Sequence, residues 1–193
     1  MINRLCAVGL LGVLGLAACA SPATLAERAE PPAAIVPADG LAVSGALPRT
    51  GPMSRADLEA LGVVDGKWVH HEKERTFRGV PLDAVLTHCG LDRGSTAPEI
   101  APKDRAPGWK KVVIATAADG FQAVFTCAEL MPQMGATRAF VVWELDGAPL
   151  PARKGPLQLV VTTDQEGSRS PFTLRSIQIV DAPGTAAGSP DSR

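Results

Sequence analysis

The chain has 193 residues, 46% of them apolar, which is enough for one domain with a real core. A formal charge of −1 removes the electrostatic case for nucleic acid, and with no tyrosine and 4% aromatic residues there is no stacking platform for bases. Seventeen prolines and 19 glycines describe a loop-rich chain with much β-structure.

Met1–Arg4 is a short basic segment, and Leu5–Leu16 is an apolar run too short to span a bilayer comfortably. It ends in Leu16-Ala17-Ala18-Cys19, which resembles a bacterial lipobox. That resemblance implies a signal peptide over 1–18, cleavage before Cys19, and lipid (diacylglycerol, with acyl chains such as palmitate) on the Cys19 sulfur. The protein would then be anchored to the periplasmic side of a membrane, not spanning it. Ala20 after the cysteine, in place of aspartate, points to the outer membrane over the inner one. The alternatives are an ordinary signal peptide cut near Ala20 and an uncleaved anchor. Loss of 1–18 takes Arg4 with it and moves the formal charge to −2.

Residues 19–40, rich in Ala, Pro and Glu without periodicity, read as a flexible tether. The domain is expected over 41–181. Leu41–Leu47 alternates weakly and predicts a first strand, and Pro48–Pro52 a turn. Ser54 can cap a short helix, with Asp57 three residues on as in a capping box and Gly62 as its stop. Lys67–Phe77 is polar but alternating, which predicts one exposed or edge strand. Phe77-Arg78-Gly79-Val80-Pro81-Leu82 leads into a helix with Pro81 in its first turn, Leu82, Val85 and Leu86 on its apolar face, and Gly90 at its end.

Asp92–Gly108 reads as a long loop. Lys111–Ala117 is a β-branched run and therefore a buried strand; Asp119-Gly120 signals a hairpin turn, and Phe121–Phe125 is its partner. Thr126, with Glu129 at the third position, predicts a helix over Ala128–Met131. Ala139–Leu145 and Leu157–Thr162 are strands. The loop between them holds an Asp146-Gly147 turn, Pro149 and Pro151 that bar regular ladder pairing, and the cations Arg153 and Lys154. Thr173–Val180 alternates and predicts the last strand; 182–193 is a tail. Strands, short helices and hairpins in this order make an α+β fold with a mixed β core.

Cys89 and Cys127 remain after cleavage and lipidation. In an oxidising compartment they can pair, worth roughly 3–4 kcal/mol by loop entropy, or they stay as two buried free thiols. There is no Gly-x-Ser-x-Gly elbow, and nothing in the spacing of the three histidines points to a triad. His70 and His71 are adjacent, so on a strand only one can join a given site, and structural-zinc spacing is absent. No catalytic or metal-ligating residue is assigned. Arg78, Arg153, Lys154, Arg169 and Arg175 can clamp an oxyanion if the fold brings them together, and otherwise form a solvated rim. Asp119 reads as a turn residue, and Trp68, Trp143 and Phe121 as core or interface.

Four motifs resemble those of the sulfite-oxidase-type molybdopterin-binding family in its small periplasmic form. Phe77-Arg78-Gly79-Val80-Pro81-Leu82 with Leu86 and Cys89-Gly90-Leu91 matches its "aromatic, x, Gly-Val-Pro-Leu … Leu … Gly-Leu" helix. Asp119-Gly120-Phe121 with Glu129-Leu130 matches "Asp-Gly-Tyr … Glu-Leu". Asp146-Gly147-Ala148-Pro149-Leu150 matches "Asn/Asp-Gly-x-Pro-Leu". Gly155-Pro156-Leu157-Gln158-Leu159-Val160 matches a shortened "Gly-x-Pro-x-Arg-Leu-Val". The resemblance implies a sulfite-oxidase-like fold and a molybdopterin cofactor, with Arg78, Arg153, Lys154 and Arg169 as residues toward its anionic part. It also exposes departures. The family's metal-holding thiolate precedes the Gly-Val-Pro-Leu helix, yet Val64–Thr76 contains no cysteine, so molybdenum lacks its soft ligand. The family's arginine is replaced by Gln158, and the histidine before its Gly by Lys154 or Arg153. Two functions follow: a molybdopterin-dependent oxidoreductase, or a metal-free binding or accessory lipoprotein for a small anionic ligand or a protein partner.

Overall fold

The computed structural model describes residues 36–92, 107–131, 135, 137–164 and 167–182. The expected signal peptide, most of the expected tether, most of the expected loop after Asp92 and the expected tail beyond Ala182 lie outside these residues. Two five-stranded sheets face each other. The first runs β2 (Gly51–Met53), β1 (Leu41–Gly45), β10 (Leu174–Asp181), β5 (Lys111–Ala117) and β6 (Gln122–Thr126); β1 and β10 are parallel, and the other pairs antiparallel. The second runs β3 (Val64–His70), β4 (Lys73–Pro81), β7 (Ala139–Leu145) and β8 (Ala148–Pro149), with β9 (Gln158–Val161) also on β7; every pair is antiparallel. This is the expected mixed β core with short helices.

The main core lies between the sheets. Val113, Ala115, Ile177 and Ile179 from the first meet Val141, Trp143, Leu159 and Val161 from the second. Helix α1 (Arg55–Glu59) adds Leu58, and α2 (Leu82–His88) adds Leu82, Val85 and Leu86. A smaller cluster covers the other face of the second sheet: Trp68, Phe77, Val142, Leu145 and Val160, with Leu150 of the β8–β9 loop against it.

Local chemistry explains most boundaries. Ser54 and Asp57 form a full capping box: the Asp57 N–H donates to Ser54 Oγ at 3.2 Å and the Ser54 N–H to Asp57 Oδ2 at 2.8 Å. The Ser54 hydroxyl also donates to Asp57 Oδ2 at 2.6 Å, and this bond, with that of the Ser54 N–H, holds the exposed Asp57 carboxyl below the usual range. The β5 strand has the bounds read from its β-branched run, and the Asp119-Gly120 turn hands it to β6.

Four expectations are corrected. The single strand over Lys67–Phe77 is two strands, β3 and β4, turned at His71 (φ 47°) and Glu72 (φ 61°), left-handed positions without the glycine or asparagine that announces such a turn. Pro81 is the N-cap of α2 (φ −60°, ψ 134°), one step before its first turn, because β4 continues through it. Pro149 does pair: β8 is a two-residue edge strand, where a missing donor is tolerated. Residues 127–131 form a turn where a helix was expected. Its capping-type bonds are present (Glu129 N–H to Thr126 Oγ1 at 3.2 Å, Thr126 N–H to Glu129 Oε1 at 2.8 Å), but Pro132 biases Met131 away from helical dihedrals.

Candidate functional site

The β8–β9 loop carries Arg153 and Lys154. It is pinned at Lys154: the Lys154 N–H donates to the Pro151 carbonyl, and the Lys154 carbonyl accepts from the Thr173 N–H, each at 2.8 Å. The Lys154 ammonium lies 4.6 Å from the centre of the Phe172 ring. Burial pushes its pKa below the ordinary lysine value; the nearby Arg75 and Arg153 guanidiniums push the same way, and Asp146 opposes them. Arg75 is the member sequence reading missed. It projects from β4 opposite Trp68 and bonds Asp146 Oδ2 at 2.7 Å, while Asp146 Oδ1 accepts from the Thr76 N–H at 3.0 Å. Arg75 and Arg153 thus crowd the Lys154 charge, and the carboxylate that opposes them, Asp146, is already engaged by Arg75.

The other expected cations do not join them. Arg78 pairs with Asp65 across β3–β4 at 3.2 Å on the exposed surface, a contact worth at most about 1 kcal/mol. Arg175 donates to the Ala38 carbonyl at 3.2 Å. Arg169 ends a 3₁₀ turn, Gly167–Arg169, and grips Asp164 in bidentate fashion (2.6 and 2.8 Å) with Glu129 at 3.4 Å, its guanidinium 4.8 Å from the Phe125 ring centre.

Beside Phe172 lies an open cleft of about 280 Å3, walled by the β5–β6 turn (Asp119, Phe121) and by Gly167, Ser168 and Phe172. Asp119 is fixed there by accepting from the Phe121 N–H at 2.9 Å, as a turn residue should. His70 stacks on Trp68 at 4.6 Å and abuts Gly167, where an added Cβ would fall 2.4 Å from the His70 ring. Trp68 and Trp143 are core, as expected, whereas Phe121 is exposed. Gln158, at the position of the family's arginine, is fully buried, and neither side-chain amide atom has a protein partner.

The thiols take no part in this locus. Cys89 and Cys127 are free, and both belong to the main core. Burial raises both, Cys127 to about 11, against weak opposition from Arg49 and Lys111 respectively. Neither therefore offers the thiolate that a molybdenum centre of this fold uses, and no cluster of three or more His, Cys, Asp or Glu is arranged for a metal ion among the described residues. The donor set present does not fit a thiolate-held molybdenum.

No curated protein matches this sequence. Among solved structures, the chain is similar to the sulfane dehydrogenase SoxCD from Paracoccus pantotrophus, with a TM-score of 0.54 and 16% identity over 74% of this chain. At that identity the likeness speaks for the fold alone, and this chain spans only 38% of that one. The model of the oxidoreductase molybdopterin binding domain matches residues 51–187, which include both sheets apart from β1. The chain belongs to the oxidoreductase molybdopterin binding domain family.

Proposed function

We propose that this chain is a lipid-anchored periplasmic protein whose domain recognises an anionic ligand at Arg75, Arg153 and Lys154, without a thiolate-held metal. The observation that carries the reading is the Lys154 charge, set against Phe172 and opposed by the nearby Arg75 and Arg153, while the Asp146 carboxylate is already bonded to Arg75. An incoming anion relieves the cations' mutual repulsion. Lys154 supplies a half-buried charge, and the guanidiniums supply directed N–H donors. Arg75, positioned by Asp146, is the pre-oriented donor of the three. The phosphate of a pterin is an anion of this kind, and family membership favours a pterin-like ligand and a molybdopterin-dependent oxidoreductase as the second reading.

Inorganic pyrophosphate, titrated calorimetrically, is the first probe. Arg153→Gln and Lys154→Gln are each expected to weaken it about tenfold; unchanged affinity in both would remove the site. The pH dependence has a defined sign. Lys154 titrates below an ordinary lysine, so the cation that attracts the anion is lost as pH rises through that lowered value, and affinity falls at a pH where ordinary lysines are still charged. In Lys154→Gln that early decline is absent.

Metal content separates the two readings. Protein purified from a host that makes molybdopterin is expected to contain no stoichiometric molybdenum by elemental analysis, and one metal per chain would establish the oxidoreductase reading instead. Anchoring has its own test: Cys19→Ala should move the protein from the membrane pellet to the soluble periplasmic fraction, and persistence in the pellet counts against the lipobox.

A further inference from the structure

The chain has only five phenylalanines and three tryptophans, yet two of these eight aromatics stand on the walls of one cleft and remain in water. Phe121 is 48% exposed and Phe172 40% exposed, whereas Phe77, Phe125, Trp68 and Trp143 are buried. Both rings line this one cleft, so an apolar group that enters it would cover them together. The cleft is open and, at about 280 Å3, lies at the lower end of the range of small-ligand pockets. It is sized for a single large side chain. One ring, Phe172, sits under the Lys154 ammonium, so the apolar slot adjoins the basic loop. The cleft wall also carries the immobilised carboxylate of Asp119.

We propose that this cleft docks a protein partner through an acidic segment bearing one aromatic anchor: the anchor inserts between Phe121 and Phe172, and the flanking carboxylates reach Lys154 and Arg153. Anchors of this type supply most of the energy of an interface when they fill a desolvated slot. The charges fix orientation, because acid toward Lys154 is attracted while acid toward Asp119 is repelled. The proposal rests on the basic loop being an anion site, and it identifies the anion as the partner's carboxylates.

The test uses the detergent-solubilised full-length protein and three probes: a synthetic acidic nonapeptide with a central tryptophan, the same peptide with alanine there, and pyrophosphate. The tryptophan peptide is expected to bind at least about tenfold more tightly than the alanine peptide, the range of a hot-spot residue. Phe121→Ser should abolish that preference without altering pyrophosphate binding, and Lys154→Gln should weaken all three probes. Phe172→Ser is the second variant, and because its ring lies 4.6 Å from the Lys154 ammonium, only its loss of the tryptophan preference is read. Both rings are exposed, so the thermal midpoint should hold in at least one of them.

If both peptides bind equally, or neither binds while pyrophosphate does, the docking cleft is refuted and the anion site survives. If no probe binds, both readings fall. Self-association of the chain that Phe172→Ser abolishes would overturn the proposal in favour of a second copy of this chain as the occupant.

Discussion

Replacing Gly79 by alanine is expected to cost at least about 3 kcal/mol and, in a domain of ordinary stability, to leave a large unfolded fraction at 37 °C. Gly79 lies where β4 crosses β7, just after the register shift between Arg78 and Gly79. A Cβ there would fall 2.3 Å from the Val141 carbonyl oxygen and 2.9 Å from the Val142 Cα. Both obstacles are backbone of a central strand, so no side chain can swing away, and relief requires β4 and β7 to separate. Those strands carry Phe77, Val80, Val141 and Trp143 into the two cores. Gly120→Ala is the control: its φ of +85° strains any L residue, but nothing lies within 4 Å of the added Cβ. Its cost should stay near 1–2 kcal/mol, the left-handed penalty alone. Denaturant midpoints of the two variants check the contrast, and equal losses would show that space at Gly79 is not the constraint.

The same glycine shows what was legible. In the sequence it is one letter of a Gly-Val-Pro-Leu motif; in the structure the motif is a strand passing close over its neighbour before Pro81 caps a helix. Strands with strong local signals, such as Lys111–Ala117, could be read directly because β-branched alternation and the Asp-Gly turn both act within a few residues. The β3–β4 hairpin could not, because His71 and Glu72 adopt left-handed dihedrals that the surrounding pairing imposes. That loss propagated to the site. Arg75 reaches Asp146 only once β4 is recognised as a strand opposite β3 and beside β7. Arg153 and Lys154 were legible in the loop's own residues, but the basic cluster was not, since its members come from separate strands and loops. Gln158 poses the converse case: its residue type was visible, while its complete burial without a protein partner depends on packing that no local pattern encodes.

Arg169→Ala is expected to lower stability by about 2 kcal/mol while leaving pyrophosphate affinity unchanged. The estimate lies between the ~1 kcal/mol ceiling of an exposed pair and the 3–5 kcal/mol of a buried one, because the side chains of Arg169, Asp164 and Glu129 are 33%, 16% and 30% exposed. Its guanidinium joins three parts of the fold. It binds Asp164 just after β9, Glu129 just after β6, and the face of Phe125 on β6. The 3₁₀ turn it ends is seated against both β9 and β6, one strand from each sheet. Removing the cation leaves Asp164 as a mostly buried carboxylate without that bidentate partner, and uncovers Phe125. The hydrogen bond to Asp164 also raises the Arg169 pKa above its ordinary value, so the clasp stays charged across the accessible pH range. Arg169→Lys should recover part of the loss, since an ammonium keeps the charge but cannot bridge both carboxylate oxygens and the second acid in one plane. The measurements are a urea midpoint that falls with an unchanged m-value, together with pyrophosphate titration. A variant that keeps its midpoint but loses pyrophosphate binding would return Arg169 to the ligand site and place the centre of recognition on the Gly167–Arg169 side of the cleft.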